Sequence, residues 1–240
     1  MFLEKFVIFV GGFGSGKSEL AINEALKKVR EGRCSLVDLD IVNPYFRSGE
    51  RGDVLGEAGV RLIAPPFALH KIEITSLSPE IFSIFTAGPG WAVIDAGGDP
   101  IGATALGQYK PNFDAMGAEN VETLLVVNCF RPLADTVDKA IDLMRKIEFT
   151  SRQSITGLVN NANLVDQTTA ADIAEGYETV REMSIKTGIP VRKTSGTKKA
   201  LDAFEKEAKR LGLDSAFIGE LTEIDINMHR TWDRYIKDGL

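Results

Sequence analysis

Residues 11–18 of the chain read GGFGSGKS, between an unbroken apolar run and a helix-forming one. The spacing G-x-x-x-x-G-K-S sets glycines at Gly11 and Gly16, an ammonium at Lys17 and a hydroxyl at Ser18. Glycine-rich backbone between a strand and a helix curls so that successive N–H groups face inward around phosphate oxygens. The helix that follows adds its first amides and its partial positive charge. In such a loop Lys17 neutralises the β and γ phosphates, and the Ser18 hydroxyl ligates Mg²⁺. Gly12, Phe13, Gly14 and Ser15 act through backbone amides, and Glu19 opens the helix beside them.

A bound Mg²⁺ needs a second acidic site at the end of a neighbouring strand. The stretch WAVIDAGGD supplies Asp95 for it, followed by Gly97 and Gly98, whose bare backbone can approach a γ phosphate. A further stretch, LVDLDIVNPYFRSGER, carries Asp38 and Asp40, which are two residues apart and therefore on one side of an extended chain. Asp40 is expected to orient the attacking water or help hold the metal, with Asp38 in support. Arg47 and Arg51 follow and are candidates for stabilising transition-state charge. The catalytic set expected from sequence is therefore Lys17, Asp40 and Asp95, and the metal set is Ser18, Asp40 and Asp95.

Base choice is read from the sequence Asn160, Asn161, Ala162, Asn163. Guanine recognition of the Asn-Lys-x-Asp kind uses a carboxylate that accepts two N–H donors at once, and no Asp stands at that place. Asn163 to Asp166 would be only a shifted copy. An asparagine amide offers one donor and one acceptor, which suits adenine, so ATP is expected over GTP, with Asn160 or Asn161 as the base contact. Asn128 reads as structural.

These groups must be positioned by regular elements. Apolar runs of strand length recur at 6–10, 35–39, 60–64, 91–94, 123–127, 155–159 and 189–191. Most are continuously hydrophobic rather than alternating, the pattern of parallel strands buried on both faces. Helical patterns lie at 133–147, 170–187, 198–211 and 218–236, and a first helix follows Ser18 with an apolar stripe of Ile22, Leu26 and Val29. Residues 65–79 and 99–120 read as irregular. The fold expected is α/β, with a mainly parallel sheet covered by helices on both faces in three layers. One nucleotide-binding domain is expected over 1–240.

The net charge of −6 argues against broad binding to nucleic acid. No apolar run is long enough to span a membrane, and the last helical stripe lacks a lysine-rich face for one. Cys34 and Cys129 are far apart and read as core thiols, in keeping with a reducing cytoplasm. His70 and His229 are too isolated to form a metal cluster.

Taken together, GGFGSGKS, VDLD, VIDAGGD, LLVVN and GLVNN resemble the SIMIBI class of P-loop nucleotide hydrolases, which includes the MinD and ParA ATPases and the CobQ/CobB-like synthetases. The resemblance spans roughly residues 5–196. It implies an ATP or GTP site with Mg²⁺, a face-to-face homodimer, and a switch at VDLDIVNPYFR that responds to the γ phosphate. MinD and ParA carry an extra lysine early in the loop where this chain has Gly12. The leading reading is a Mg²⁺-dependent nucleotide hydrolase acting as a switch on a partner. Two others stand beside it: an ATP-dependent small-molecule kinase or CobB-like amide ligase with an acceptor pocket built from 65–79 and 99–120, and a module that holds nucleotide without turning it over.

Overall fold

In the first strand Val7 and Phe9 face one way and Phe6, Ile8 and Val10 the other, and all five are buried. A strand buried on both sides must lie inside a sheet, and this one does. The computed structural model describes residues 4–39, 52–64, 79–98 and 100–227. Within them, eight strands form one sheet: β1 Glu4–Val10, β2 Cys34–Leu39, β3 Arg61–Ile63, β4 Gly90–Ala96, β5 Val121–Val127, β6 Gly157–Asn160, β7 Val191–Gly196 and β8 Glu220–Glu223. Their order is β3-β2-β4-β1-β5-β6-β7-β8, and every neighbouring pair is parallel.

Helices cover both faces. The helix α1, Lys17–Lys28, packs Leu20, Ala21 and Ala25 on Val7, Phe9, Leu36 and Val93, joined by Leu55 of α2, Gly52–Glu57. The opposite face takes α3 (Pro79–Phe82), α4 (Pro100–Gly107), α5 (Lys110–Met116), α6 (Val137–Ser151) and α7 (Ala170–Thr187). The last described helix, α8, Lys198–Leu211, packs Leu201 and Phe204 on Ile173 and Tyr177 of α7. This is the three-layer α/β fold of P-loop nucleotide hydrolases.

The chain leaves β1 toward β2 on one side, then crosses over to β5 on the other. That reversal falls at β1 itself, and in open α/β sheets ligands bind outside the carboxyl ends of strands at such a point. Residues 11–18 lie at this place.

Three segments differ from the sequence expectation. Residues 99–120, expected to be irregular, contain α4 and α5, and Leu106 of α4, Phe113 of α5 and Tyr109 between them join the core. The expected helix over 218–236 is instead the edge strand β8 at its start, with Thr222 buried and Leu221 at the surface; residues 228–240 lie outside the described residues. The strand expected at 189–191 runs on to Gly196, because its polar residues are bonded inside the protein. Lys193 meets Glu24 at 2.9 Å, and the Thr194 hydroxyl donates to the Ile218 carbonyl at 2.7 Å. Among the described residues no helix is long and apolar enough to cross a membrane.

Candidate functional site

The loop leaves the carboxyl end of β1 and turns into α1 at Gly16, whose φ of 93° is left-handed and which caps the helix without a side-chain bond. The Ser15 N–H donates to the Gly12 carbonyl at 3.2 Å and closes a turn. Lys17 is buried, and its Nζ donates to that same carbonyl at 3.2 Å. Phe13 and Gly14 are exposed and Ser18 is half-buried, so the lip of the loop is open while its lysine is held inside.

The two acids fall beside it. Asp38 of β2 and Asp95 of β4 are direct register partners on neighbouring parallel strands, and Asp95 is also the partner of Phe9 in β1. Register partners point to the same face of a sheet. That face is the one holding Phe9, Leu36 and Val93 against α1, so both carboxyl groups are buried on the side where Lys17 and Ser18 begin their helix. The donors brought together are a hydroxyl and carboxylates. Hard oxygen ligands of this kind suit Mg²⁺ when substrate phosphates complete its shell. Asp40, Arg47 and Arg51 lie outside the described residues, as do His70 and His229. Among the described residues no cluster of three or more His, Cys, Asp or Glu is set up for a metal.

The turn after β4 closes on the loop. A β-carbon added to Gly98 would stand 2.7 Å from Lys17 Nζ, 3.0 Å from the Phe13 nitrogen and 3.1 Å from the Gly11 oxygen. A side chain there would need Lys17 to swing aside and the loop backbone to give by a few tenths of an ångström.

Asn160 ends β6 and Asn161 follows it, both fully buried. Asn160 donates from Nδ2 to the Ile173 carbonyl at 3.0 Å, and its Oδ1 accepts from the Ala162 N–H at 3.2 Å. Asn161 donates from Nδ2 to the Ser15 carbonyl at 2.6 Å, and its Oδ1 accepts from the Ser195 hydroxyl at 2.7 Å. Amide chemistry in the sequence gives the base contact to Asn160 or Asn161; the bonds these amides make here run to the loop and the sheet. Asn128 is structural as expected, bridging two loops through the Phe130 N–H and the Asn163 carbonyl. Glu19 accepts the Asn227 N–H at 2.7 Å through Oε1. Its neighbour one turn on, Asn23, exchanges two bonds with the backbone of Asp225. The chain after β8 is thereby strapped across α1. Cys34 and Cys129 are buried, and burial pushes the Cys129 thiol up to about 11, away from thiolate chemistry.

Sequence reasoning missed Arg131, whose Nε donates to the Gly14 carbonyl at 2.9 Å. It stands 117 positions from the loop, and a lone arginine after a strand carries no local signal.

Neither a protein-family model nor a curated protein sequence matches the chain. Solved structures do resemble it. The cell division protein FtsY of Thermotoga maritima superposes with a TM-score of 0.50 at 19% identity, over 82% of this chain and 63% of that one. Chloroplast FtsY of Physcomitrella patens gives 0.52 at 18% identity, over 80% and 58%. The signal recognition particle receptor FtsY of Elizabethkingia anophelis, solved in complex with GDP, gives 0.49 at 16% identity, over 81% and 58%. The chain thus spans about three fifths of these proteins' length. These are likenesses of fold, and the resemblance to MinD and ParA rests on the sequence motifs alone.

Proposed function

We propose that the chain, as one domain, binds a nucleoside triphosphate with Mg²⁺ in residues 11–18 and hydrolyses it, acting as a switch. The observation that carries this reading is the three-way closure of Lys17, the loop backbone and Gly98 at the carboxyl edge of the sheet. A γ phosphate arriving there would draw Lys17 off the Gly12 carbonyl and press on the turn after Asp95. Charge and position in one element are thereby coupled to the backbone of another. Ser18, Asp95 and Asp40 would hold the metal, which when bound supplies neutralisation of the phosphate oxygens. Asp40 would also orient the attacking water, with Asp38 supporting Asp95 from the adjacent register position.

The adenine preference read from Asn160 and Asn161 is not carried forward, because both amides are bonded inside the protein on their donor and acceptor sides alike. The reading is of a nucleoside triphosphate, with ATP and GTP compared directly. The partner that senses the switch is a second copy of the chain or another protein.

The test is calorimetric titration of the purified chain with ATP and with GTP, in Mg²⁺ and in EDTA, beside Lys17→Ala. Binding that needs Mg²⁺ and falls at least tenfold in Lys17→Ala supports the reading; equal binding by parent and variant sinks it. Phosphate release that stops in Asp95→Asn separates a hydrolase from a module that only holds nucleotide.

A further inference from the structure

Two successive peptide planes of the loop are held from outside. The Gly14 carbonyl accepts from Arg131 Nε at 2.9 Å, and the Ser15 carbonyl accepts from Asn161 Nδ2 at 2.6 Å. In a trans peptide the C=O of one residue and the N–H of the next point in opposite directions. Fixing the Gly14 oxygen therefore fixes the Ser15 N–H, which donates to the Gly12 carbonyl at 3.2 Å. That carbonyl is the one on which Lys17 Nζ rests. Arg131 is thus connected to Lys17 through one rigid plane and one shared acceptor.

The fit on the outer side is close. Gly14 has a φ of 71°, and a β-carbon placed on it would lie 3.3 Å from Arg131 Nε and 3.6 Å from Cζ, so the guanidinium lies directly against this residue. The loop carrying Arg131 is ordered in its own right. The Arg131 N–H donates to the Asn128 carbonyl at 3.0 Å, the Ala134 N–H donates to the Arg131 carbonyl at 2.8 Å, and Asn128 ties this loop to the one after β6. Among the described residues no carboxylate pairs with Arg131, so its charge is not neutralised beside the loop.

We propose that Arg131 is a positioning residue of the nucleotide site: by clamping the Gly14–Ser15 peptide it keeps the loop's turn closed and Lys17 poised before phosphate arrives. The role rests on the nucleotide reading above. It acts through the Nε–H rather than through the charge alone, and side-chain lengths separate the two. Glutamine Nε2 stands as many bonds from Cα as arginine Nε, so Arg131→Gln keeps a neutral donor at the clamp. Arg131→Lys keeps the charge but puts a methylene there. Arg131→Met keeps neither.

The experiment titrates the full chain and these three variants with ATP and GTP in Mg²⁺, beside Lys17→Ala, and follows amide exchange of residues 12–16 without nucleotide. A charge-assisted hydrogen bond of this kind, once lost, is expected to weaken triphosphate binding about tenfold or more in Arg131→Met and to speed exchange of the loop amides. Arg131→Gln should return both to within about threefold of the parent while Arg131→Lys does not. Arg131→Met binding as the parent does, or rescue by lysine and not by glutamine, overturns this role while leaving the nucleotide reading standing. A parent chain that binds neither nucleotide overturns both.

Discussion

Gly98 and Lys17 share one space: a β-carbon on the first would stand 2.7 Å from the Nζ of the second. The lysine end can swing away, but the Phe13 nitrogen at 3.0 Å and the Gly11 oxygen at 3.1 Å belong to backbone, which must give by a few tenths of an ångström. Gly98→Ala therefore forces the turn after β4 off the loop, at a strain of about 1–3 kcal/mol. Triphosphate affinity is expected to fall about tenfold, and the thermal midpoint to drop by roughly 2–4 °C for each kcal/mol of that strain. Titration calorimetry and thermal melts on the same preparation check this. An unchanged affinity would mean that the turn does not take part in phosphate sensing.

Asn161 offers a test between two roles. If its amide read a base, Asn161→Ala would change the ratio of ATP to GTP affinity. As a prop under the Ser15 carbonyl, it acts on the part of the loop common to all nucleotides. Both affinities should then fall by one factor, together with a loss of about 1–3 kcal/mol in stability from the buried carbonyl left without its donor. The ratio of the two dissociation constants decides the matter.

Most of the sheet was legible because its central strands are apolar on both faces, and the place of residues 11–18 between a strand and a helix was legible from the glycine-rich run between an apolar stretch and a helical one. Helices α7 and α8 lie where the spacing predicts, each behind a threonine whose hydroxyl caps it. What escaped was written in pairings between distant residues. Strand β7 is polar at four of its six residues, and Lys193, Thr194 and Ser195 are buried only because they find partners in α1, after α8 and at the end of β6. The edge strand β8 has four residues, too few for a period of two to be told from one of 3.6. Leu221 and Ile224 fall three apart as on a helix, and the signal against a helix was Gly219, at a φ of 69°. Asn161 and Arg131 could not be assigned by motif, since their partners are backbone carbonyls of a loop far away in sequence.

Tyr109 precedes α5 in the stretch that reads as irregular, yet its ring is buried against Phe82 and Phe85 at centroid separations of 5.3 and 6.0 Å. Its hydroxyl has no hydrogen-bond partner among the described residues, and burial pushes its pKa up to about 12. A hydroxyl desolvated without a partner costs roughly 1–3 kcal/mol, so Tyr109→Phe, which keeps the ring and removes the oxygen, is expected to raise stability by about 1 kcal/mol. The pH dependence carries a second signature. The folded state favours the neutral phenol, so that preference is present in full below the unfolded value near pH 10 and is lost as pH rises toward 12. Denaturant melts of parent and variant at pH 8 and at pH 11 test both points. The variant's advantage should widen at the higher pH, since only the parent can ionise this group on unfolding, and a constant difference would show that the hydroxyl reaches solvent.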